Sequence, residues 1–235
     1  MSGEREIARW LSETSFGRGQ RQGAEFPARL EAAVQRVELP EPERNPADFW
    51  AVLAQRRSRR EHAERPLSLE QLAALLWAAR GITAPGRPVA LRTAPSAGAL
   101  YPIDVYVAAR LVEGLPAGVW RLEDNAAALV SVRLGEEPLA GLAAACLNQA
   151  TVRRAAASIV FAATVERCSS KYGLRAARYI LLDCAHCCQN VLLAAEALGL
   201  SACPVAAFAD HELNGVFGLD GVHQAALELA TIGHR

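Results

Sequence analysis

A chain of 235 residues, 51% hydrophobic and 21% charged, carries enough apolar surface for a sizeable core, which excludes a disordered protein. At roughly 150 residues per domain it points to one domain with extensions rather than two. Lys and Arg (25) balance Asp and Glu (25), so the basic field of a non-specific nucleic-acid binder is absent, and no apolar run reaches the ~18 residues of a membrane span; a soluble, cytoplasmic protein with neither nucleic acid nor membrane as partner is expected.

Met1 to Glu6 has no apolar stretch behind it and does not read as a secretory signal. Residues 1–44 read as an arm with one amphipathic stretch, Ile7 to Leu11, followed by the helix-breaking Gly17-Arg18-Gly19-Gln20 and Pro40-Glu41-Pro42. A single domain spans 45–235. Asn45 is placed to cap a helix with Pro46 at its first position and Phe49, Val52 and Leu53 on one face, ending near Arg56. Ser68 and Gln71 form a capping box for a helix carrying Leu69, Leu72, Leu75, Leu76 and Ala79, closed by Gly81. Ile103 to Val107, Val119 to Leu122 and Leu129 to Val132 read as successive strands, Pro138 to Gln149 as a helix, and Ser158 to Ala163 as a strand covered on both faces. Lys171 to Leu198 predicts a helix of roughly 28 residues, about 42 Å long. It is apolar on nearly every side, so it is buried, and it is longer than one small domain needs, so a second copy is expected to cover part of it. A short strand or loop follows from Ala202 to Phe208, then a helix capped by Asp210 that runs to Phe217, then a strand from Ala226 to Ile232.

Three stretches suggest a ligand. Arg56-Arg57-Ser58-Arg59-Arg60 offers guanidinium forks and a hydroxyl suited to one phosphate, although a solvated basic turn would look the same. Thr93 to Pro102 packs small residues between prolines, letting a flat ligand approach the backbone. Gly199 to Phe208 is again rich in small residues, with amides that can meet the edge of a heteroaromatic ring. Cys184-Ala185-His186-Cys187-Cys188 lacks a second cysteine pair for zinc and lies mid-helix, where nothing lowers a thiol pKa; free thiols acting as small buried hydrophobes, and no metal, are expected. His62, His211 and His223 have no partner evident in the sequence.

Arg56-Arg57-Ser58-x-Arg60, Ser96 to Pro102, Gln189-Asn190 on a long helix leading to Gly199-Leu200, and Ile232-Gly233 occur in an order that resembles the FMN-dependent nitroreductase-like flavoproteins. Among these the sequence is most similar to the thiazole/oxazole-forming peptide oxidases, or azoline dehydrogenases. The resemblance runs from about Asn45 to Arg235. It implies an α+β fold, a central, mainly antiparallel sheet flanked by helices, with a long buried helix at a homodimer interface. It implies Arg56, Arg57, Ser58 and Arg60 around the FMN phosphate and ribityl chain. Pro95, Ser96, Ala97 and Gly98 would face the isoalloxazine from the partner subunit, and Pro204, Val205, Ala206 and Ala207 would lie near N5, with the Ala206 N–H as the N5 contact. Gln149 and Asn190 would reach the pyrimidine edge, and Arg235 would be the C-terminal phosphate contact. Ala206 and Ala207 depart from the commoner glycines and narrow the pocket.

Lys171-Tyr172-Gly173-Leu174-Arg175 resembles the Lys-Tyr signature of the azoline oxidases. Aromatising such a ring removes a proton from carbon while a hydride passes to the flavin, so a base must stand beside it. Ser169 or Ser170 is placed to cap the long helix, which would put Lys171 and Tyr172 in its first turn, at the positive dipole end. The implied activity is oxidation of a thiazoline or oxazoline in a peptide-derived substrate, received from a cyclodehydratase or carrier-protein partner. Two alternatives stand beside it: an NAD(P)H-dependent nitro or quinone reductase, and a non-catalytic scaffold of a peptide-modifying complex.

Overall fold

The computed structural model describes residues 5–7, 9–10, 35–42, 46–86, 89–123 and 128–235. The expected cap at Asn45 and the breakers at 17–20 lie outside these residues, as does Leu11. Seven strands form one sheet: β1 (Arg36–Glu38), β4 (Ile103–Ala109), β5 (Gly118–Leu122), β6 (Ala128–Leu134), β7 (Ala157–Thr164), β8 (Leu200–Val205) and β9 (Gln224–His234). Their order is β1-β6-β5-β4-β7-β9-β8, and every neighbouring pair is antiparallel. A separate hairpin joins β2 (Ile82–Ala84) to β3 (Leu91–Arg92). Residues 5–7 and 9–10 are helical, and the α-helices after them are α1 (Phe49–Gln55), α2 (Leu69–Arg80), α3 (Glu137–Ala145), α4 (Ala150–Arg154), α5 (Val165–Tyr172), α6 (Ala176–Ala197) and α7 (Asp210–Phe217).

Strand periodicity divides the core into two layers, because alternate residues face opposite sides of the sheet. Val105, Val107, Ile159 and Phe161 pack with Leu72, Leu75 and Leu76 of α2 and Ile180, Cys184, Cys188 and Val191 of α6. Tyr106, Ala108, Val160 and Ala162 pack with Leu142 of α3 and Leu213, Val216 and Phe217 of α7. Tyr106 meets Phe217 edge-to-face at 5.6 Å between ring centres. Each fully buried Leu, Ile or Phe in these layers contributes roughly 1.5–3 kcal/mol. All six cysteines are buried and free. Burial pushes the thiols of Cys146 and Cys187 up to about 12, so they pack as small apolar groups. No described helix is long and apolar enough to cross a membrane.

The expected strands and the capping box at Ser68 and Gln71 are present, while several helix boundaries differ. α1 is capped by Asp48, whose carboxylate accepts from the Trp50 and Ala51 amides at 2.9 and 3.3 Å, and Pro46 lies outside it. Its apolar face is not buried in this chain, since Phe49, Trp50 and Leu53 are exposed. The helix expected from Pro138 to Gln149 ends at Ala145, because Leu147 and Asn148 turn left-handed (φ 58° and 54°) before α4 begins. α7 starts after Ala209 with no side-chain cap, so Asp210 is its first residue rather than its cap. The long helix is two helices. Gly173, at φ 53°, ψ −136°, adopts a conformation that glycine alone reaches readily, and it separates α5 from the 22 residues of α6. Nor is α6 buried all round: Arg178, Leu181, Leu182, Ala185 and Gln189 form an exposed stripe along it.

Candidate functional site

The loop between β3 and β4 is held open by left-handed residues. Gly98 (φ 64°), Ala99 (φ 54°) and Tyr101 (φ 47°) lie within four positions, a concentration of strain that the surroundings must hold in place. A buried charge network does so. The Asp104 Oδ1 atom accepts from Arg80 Nη1 at 3.1 Å and Arg167 Nη1 at 2.7 Å, and Oδ2 accepts from the Thr164 hydroxyl at 2.6 Å. The same two guanidiniums donate to the Tyr101 carbonyl, at 3.3 and 3.4 Å. Burial pushes the Asp104 carboxyl up, but Thr164, Arg167 and Arg80 outweigh it and hold the group below the ordinary aspartate value. One carboxylate on β4 therefore joins α2, the strained loop and α5. The loop's other end faces Asp183 of α6. Burial raises that carboxyl, against the opposing pull of the Ser96 hydroxyl and the Ala97 amide, and the Ser96 hydroxyl also accepts from the Tyr101 amide at 2.9 Å.

α5 carries Lys171 and Tyr172 against this loop. A Cβ built on Gly98 would lie 2.5 Å from the Tyr172 hydroxyl and 2.9 Å from Lys171 Nζ, so adjacent residues at a helix end converge on one point. The expected first-turn location is overturned. Ser169 and Ser170 lie inside α5, and Lys171 and Tyr172 close it at its C-terminal end, where the helix dipole favours cations rather than anions. The Lys171 ammonium lies 5.3 Å from the centre of the Tyr172 ring, which packs edge-to-face on Tyr179 at 4.9 Å. Gly98→Ala adds a methyl where the Tyr172 hydroxyl and Lys171 Nζ stand and strains a left-handed residue. This variant is expected to fold with an unchanged far-ultraviolet spectrum and to lose at least ~90% of turnover, as an activity assay against wild type would measure.

The arginine loop, residues 56–60, leaves α1 and crosses the outer edge of β8. Arg57 folds back to donate to the Ala54 and Arg56 carbonyls at 3.0 and 2.8 Å. The side chains of Arg56, Ser58 and Arg60 make no hydrogen bond or ion pair with another described residue, and Ser58 and Arg60 are exposed. Arg59, part of the basic stretch but not among the residues that the resemblance places around FMN, pairs with buried Glu196 at the end of α6, as does Arg235 at 2.7 Å. The candidate ring-edge residues are partly engaged. Asn190 donates to the Ala78 and Thr93 carbonyls at 3.1 and 3.4 Å, and Gln149 to the Cys146 and Ala207 carbonyls at 3.0 and 2.9 Å. Gln149 thus stands beside the Pro204 to Ala207 stretch, of which Ala206 and Ala207 are exposed. No hydrogen bond or ion pair among the described residues joins the arginine loop to the Gly98 loop.

His62, unpartnered in the sequence reading, anchors the loop's far end. Its Nδ1 lies 2.6 Å from the Ser201 hydroxyl and its Nε2 3.0 Å from that of Thr151. Ser201 donates onward to the Gly233 and His234 carbonyls, both at 3.2 Å. Its hydroxyl is therefore free to accept, which assigns the proton to Nδ1 and leaves Nε2 as acceptor. Burial, and then the Arg110 charge, push the His62 pKa down to about 4. Because the unfolded chain binds this proton near 6.5 and the folded chain near 4, stability is complete above about pH 6.5 and falls as pH drops towards 4, by about 3 kcal/mol. Melting curves from pH 7 to 4 are expected to show that loss in wild type and a smaller one in His62→Gln.

Residues 53–234 match the nitroreductase family model. The chain is similar to MJ1384 of Methanocaldococcus jannaschii, described as a nitroreductase, at 39% identity over 165 residues that cover 70% of this chain and 81% of that protein. Among solved structures it is similar to a protein of Anabaena variabilis described as a nitroreductase (TM-score 0.73, 24% identity, 96% of this chain), of which it spans 46%, a little under half. It shares its fold as well with a chain of the Escherichia coli microcin synthetase McbBCD complex with truncated pro-MccB17 bound (TM-score 0.66, 20% identity, covering 98% of this chain and 93% of that one). An antiparallel sheet between two helical layers, an arginine loop on its edge strand and a family match over most of the chain lead to one conclusion: this protein belongs to the nitroreductase family.

Proposed function

We propose that the protein is an FMN-dependent oxidase that converts thiazoline or oxazoline rings in a peptide-derived substrate to thiazoles or oxazoles. The observation that carries this reading is the convergence of Lys171 Nζ and the Tyr172 hydroxyl on Gly98: two groups able to transfer protons meet at a loop whose missing side chain lets them approach its backbone. The residues fit FMN. Arg56, Ser58 and Arg60 keep their donors for a phosphate, and Gly98, Ala206 and Ala207 expose backbone to a planar group. When bound, FMN supplies the hydride acceptor. One of Tyr172 and Lys171, in its deprotonated form, would take the single proton from the substrate's ring carbon as the hydride leaves, with the other beside it, and the Asp104 network would hold α5 and the Gly98 loop at a fixed separation meanwhile.

The exposed stripe on α6, with Leu181 and Leu182, is the proposed homodimer surface, which would bring the Pro95 to Gly98 loop of one copy to the arginine loop of the other. The McbBCD complex, a synthetase assembly that holds a chain of this fold, supports delivery of the substrate by a partner enzyme. The 39% identity to MJ1384 favours a second reading, reduction of nitro or quinone compounds by NAD(P)H at the same flavin.

Freshly purified protein is expected to show flavin absorption bands, to release FMN on denaturation as identified by mass, and to sediment at twice the chain mass. Colourless protein that remains colourless with excess FMN would overturn both enzyme readings in favour of the scaffold.

A further inference from the structure

A glutamate at the end of a surface helix is ordinarily solvated, yet the Glu196 side chain is only 4% exposed. Both its oxygens are used: Oε2 pairs with Arg59 Nη1, and Oε1 lies 2.7 Å from Arg235 Nη2. These arginines come from opposite ends of the domain and meet on the outer edge of β8. The Arg59 amide donates to the Ala202 carbonyl at 2.9 Å, and Arg235 Nε to the Leu200 carbonyl at 3.2 Å. Leu200 and Ala202 are two positions apart on one strand, so their carbonyls point to the same edge.

Two features indicate more than a structural ion pair. First, neither guanidinium is consumed. The Arg59 and Arg235 side chains keep 31% and 40% of their exposure, and each guanidinium has five N–H donors in a rigid fork, so both can present further donors to solvent. Second, the same loop holds the exposed side chains of Ser58 and Arg60, which make no hydrogen bond or ion pair with another described residue. Two guanidiniums brought together without a counter-charge would repel one another; a single buried carboxylate lets Arg59 and Arg235 approach while both keep exposed donors.

We infer that Glu196 is a positioning residue that orients Arg59 and Arg235 into one cradle for a phosphomonoester, the phosphate end of the proposed cofactor. The inference rests on the FMN reading and assigns Glu196 no contact with the ligand. The full-length chain, freed of bound flavin, is titrated with FMN and with riboflavin, which share the ring and differ by the phosphate. Glu196→Gln is expected to weaken FMN binding about tenfold with riboflavin affinity held within about twofold, the scale seen when residues that orient a metal's ligands are lost. Glu196→Asp keeps the charge, and with it the fold, but is one methylene too short to span both arginines, so it too is expected to lose preference for FMN. Equal weakening of both flavins by Glu196→Gln would make the role structural and overturn the inference, as would wild-type preference in Glu196→Asp. Wild type that binds both flavins without preference would overturn the inference alone. Wild type that binds neither would overturn the FMN reading with it.

Discussion

Lys171→Ala or Tyr172→Phe is expected to lower azoline oxidation by about 10²- to 10⁴-fold, the span of a positioned acid or base, while the protein keeps its flavin and still reduces a nitroaromatic with NADPH. The two reactions separate because only the first must take a proton from carbon. Tyr172→Phe keeps the ring that packs on Tyr179 at 4.9 Å, so its loss would be chemical rather than structural. Lys171 is exposed, and removing its side chain leaves no cavity. Steady-state rates for both substrates, with flavin content measured on the same samples, check the prediction. Equal loss of both activities would point to a damaged flavin site, and retention of azoline oxidation would remove the pair from the chemistry.

The largest effect on stability is expected at Asp104. The Arg80 side chain is only 6% exposed, and Asp104→Asn removes the carboxylate that it shares with Arg167, in a site where breaking a buried pair typically costs about 3–5 kcal/mol. For a chain of this length that is a fall of about 10 °C or more in melting temperature, which calorimetry would read. The same substitution releases the Tyr101 carbonyl region and the start of α5 together. Turnover measured well below the new melting temperature is therefore expected to fall too, because Lys171 and Tyr172 lose their fixed distance to the Gly98 loop. A variant with wild-type melting and turnover would show that Arg80 and Arg167 find other partners.

Secondary structure was legible wherever one local signal dominated. The Ser68–Gln71 capping box, the closing Gly81 and the continuous apolar run of β7 each specify an element within a few residues, and the structure contains all three. The break at Gly173 was concealed because only Lys171 and Tyr172 precede it in the expected helix, and periodicity does not reveal that one residue needs a positive φ. That break reverses the dipole argument for Lys171 and Tyr172, moving them from the start of one helix to the end of another.

The order of the motifs, Arg56 to Arg60, then Ser96 to Pro102, then Lys171-Tyr172, was likewise readable from the chain alone, as was the antiparallel architecture implied with it. Tertiary structure decided what the charged residues do. Asp104 alternates with aliphatic residues as an outward polar position would, but its strand is central and buried on both faces, so its charge can persist only by collecting Arg80, Arg167 and Thr164. Glu196 carries no local signal, and Arg59 reads only as one of a basic stretch, until the edge of β8 brings them together with Arg235. Sequence by itself determined which elements form, because caps, turns and hydrophobic periods act within a few residues. The pairing of charges 24 to 137 positions apart depends on burial and strand order, and only the folded chain supplies those.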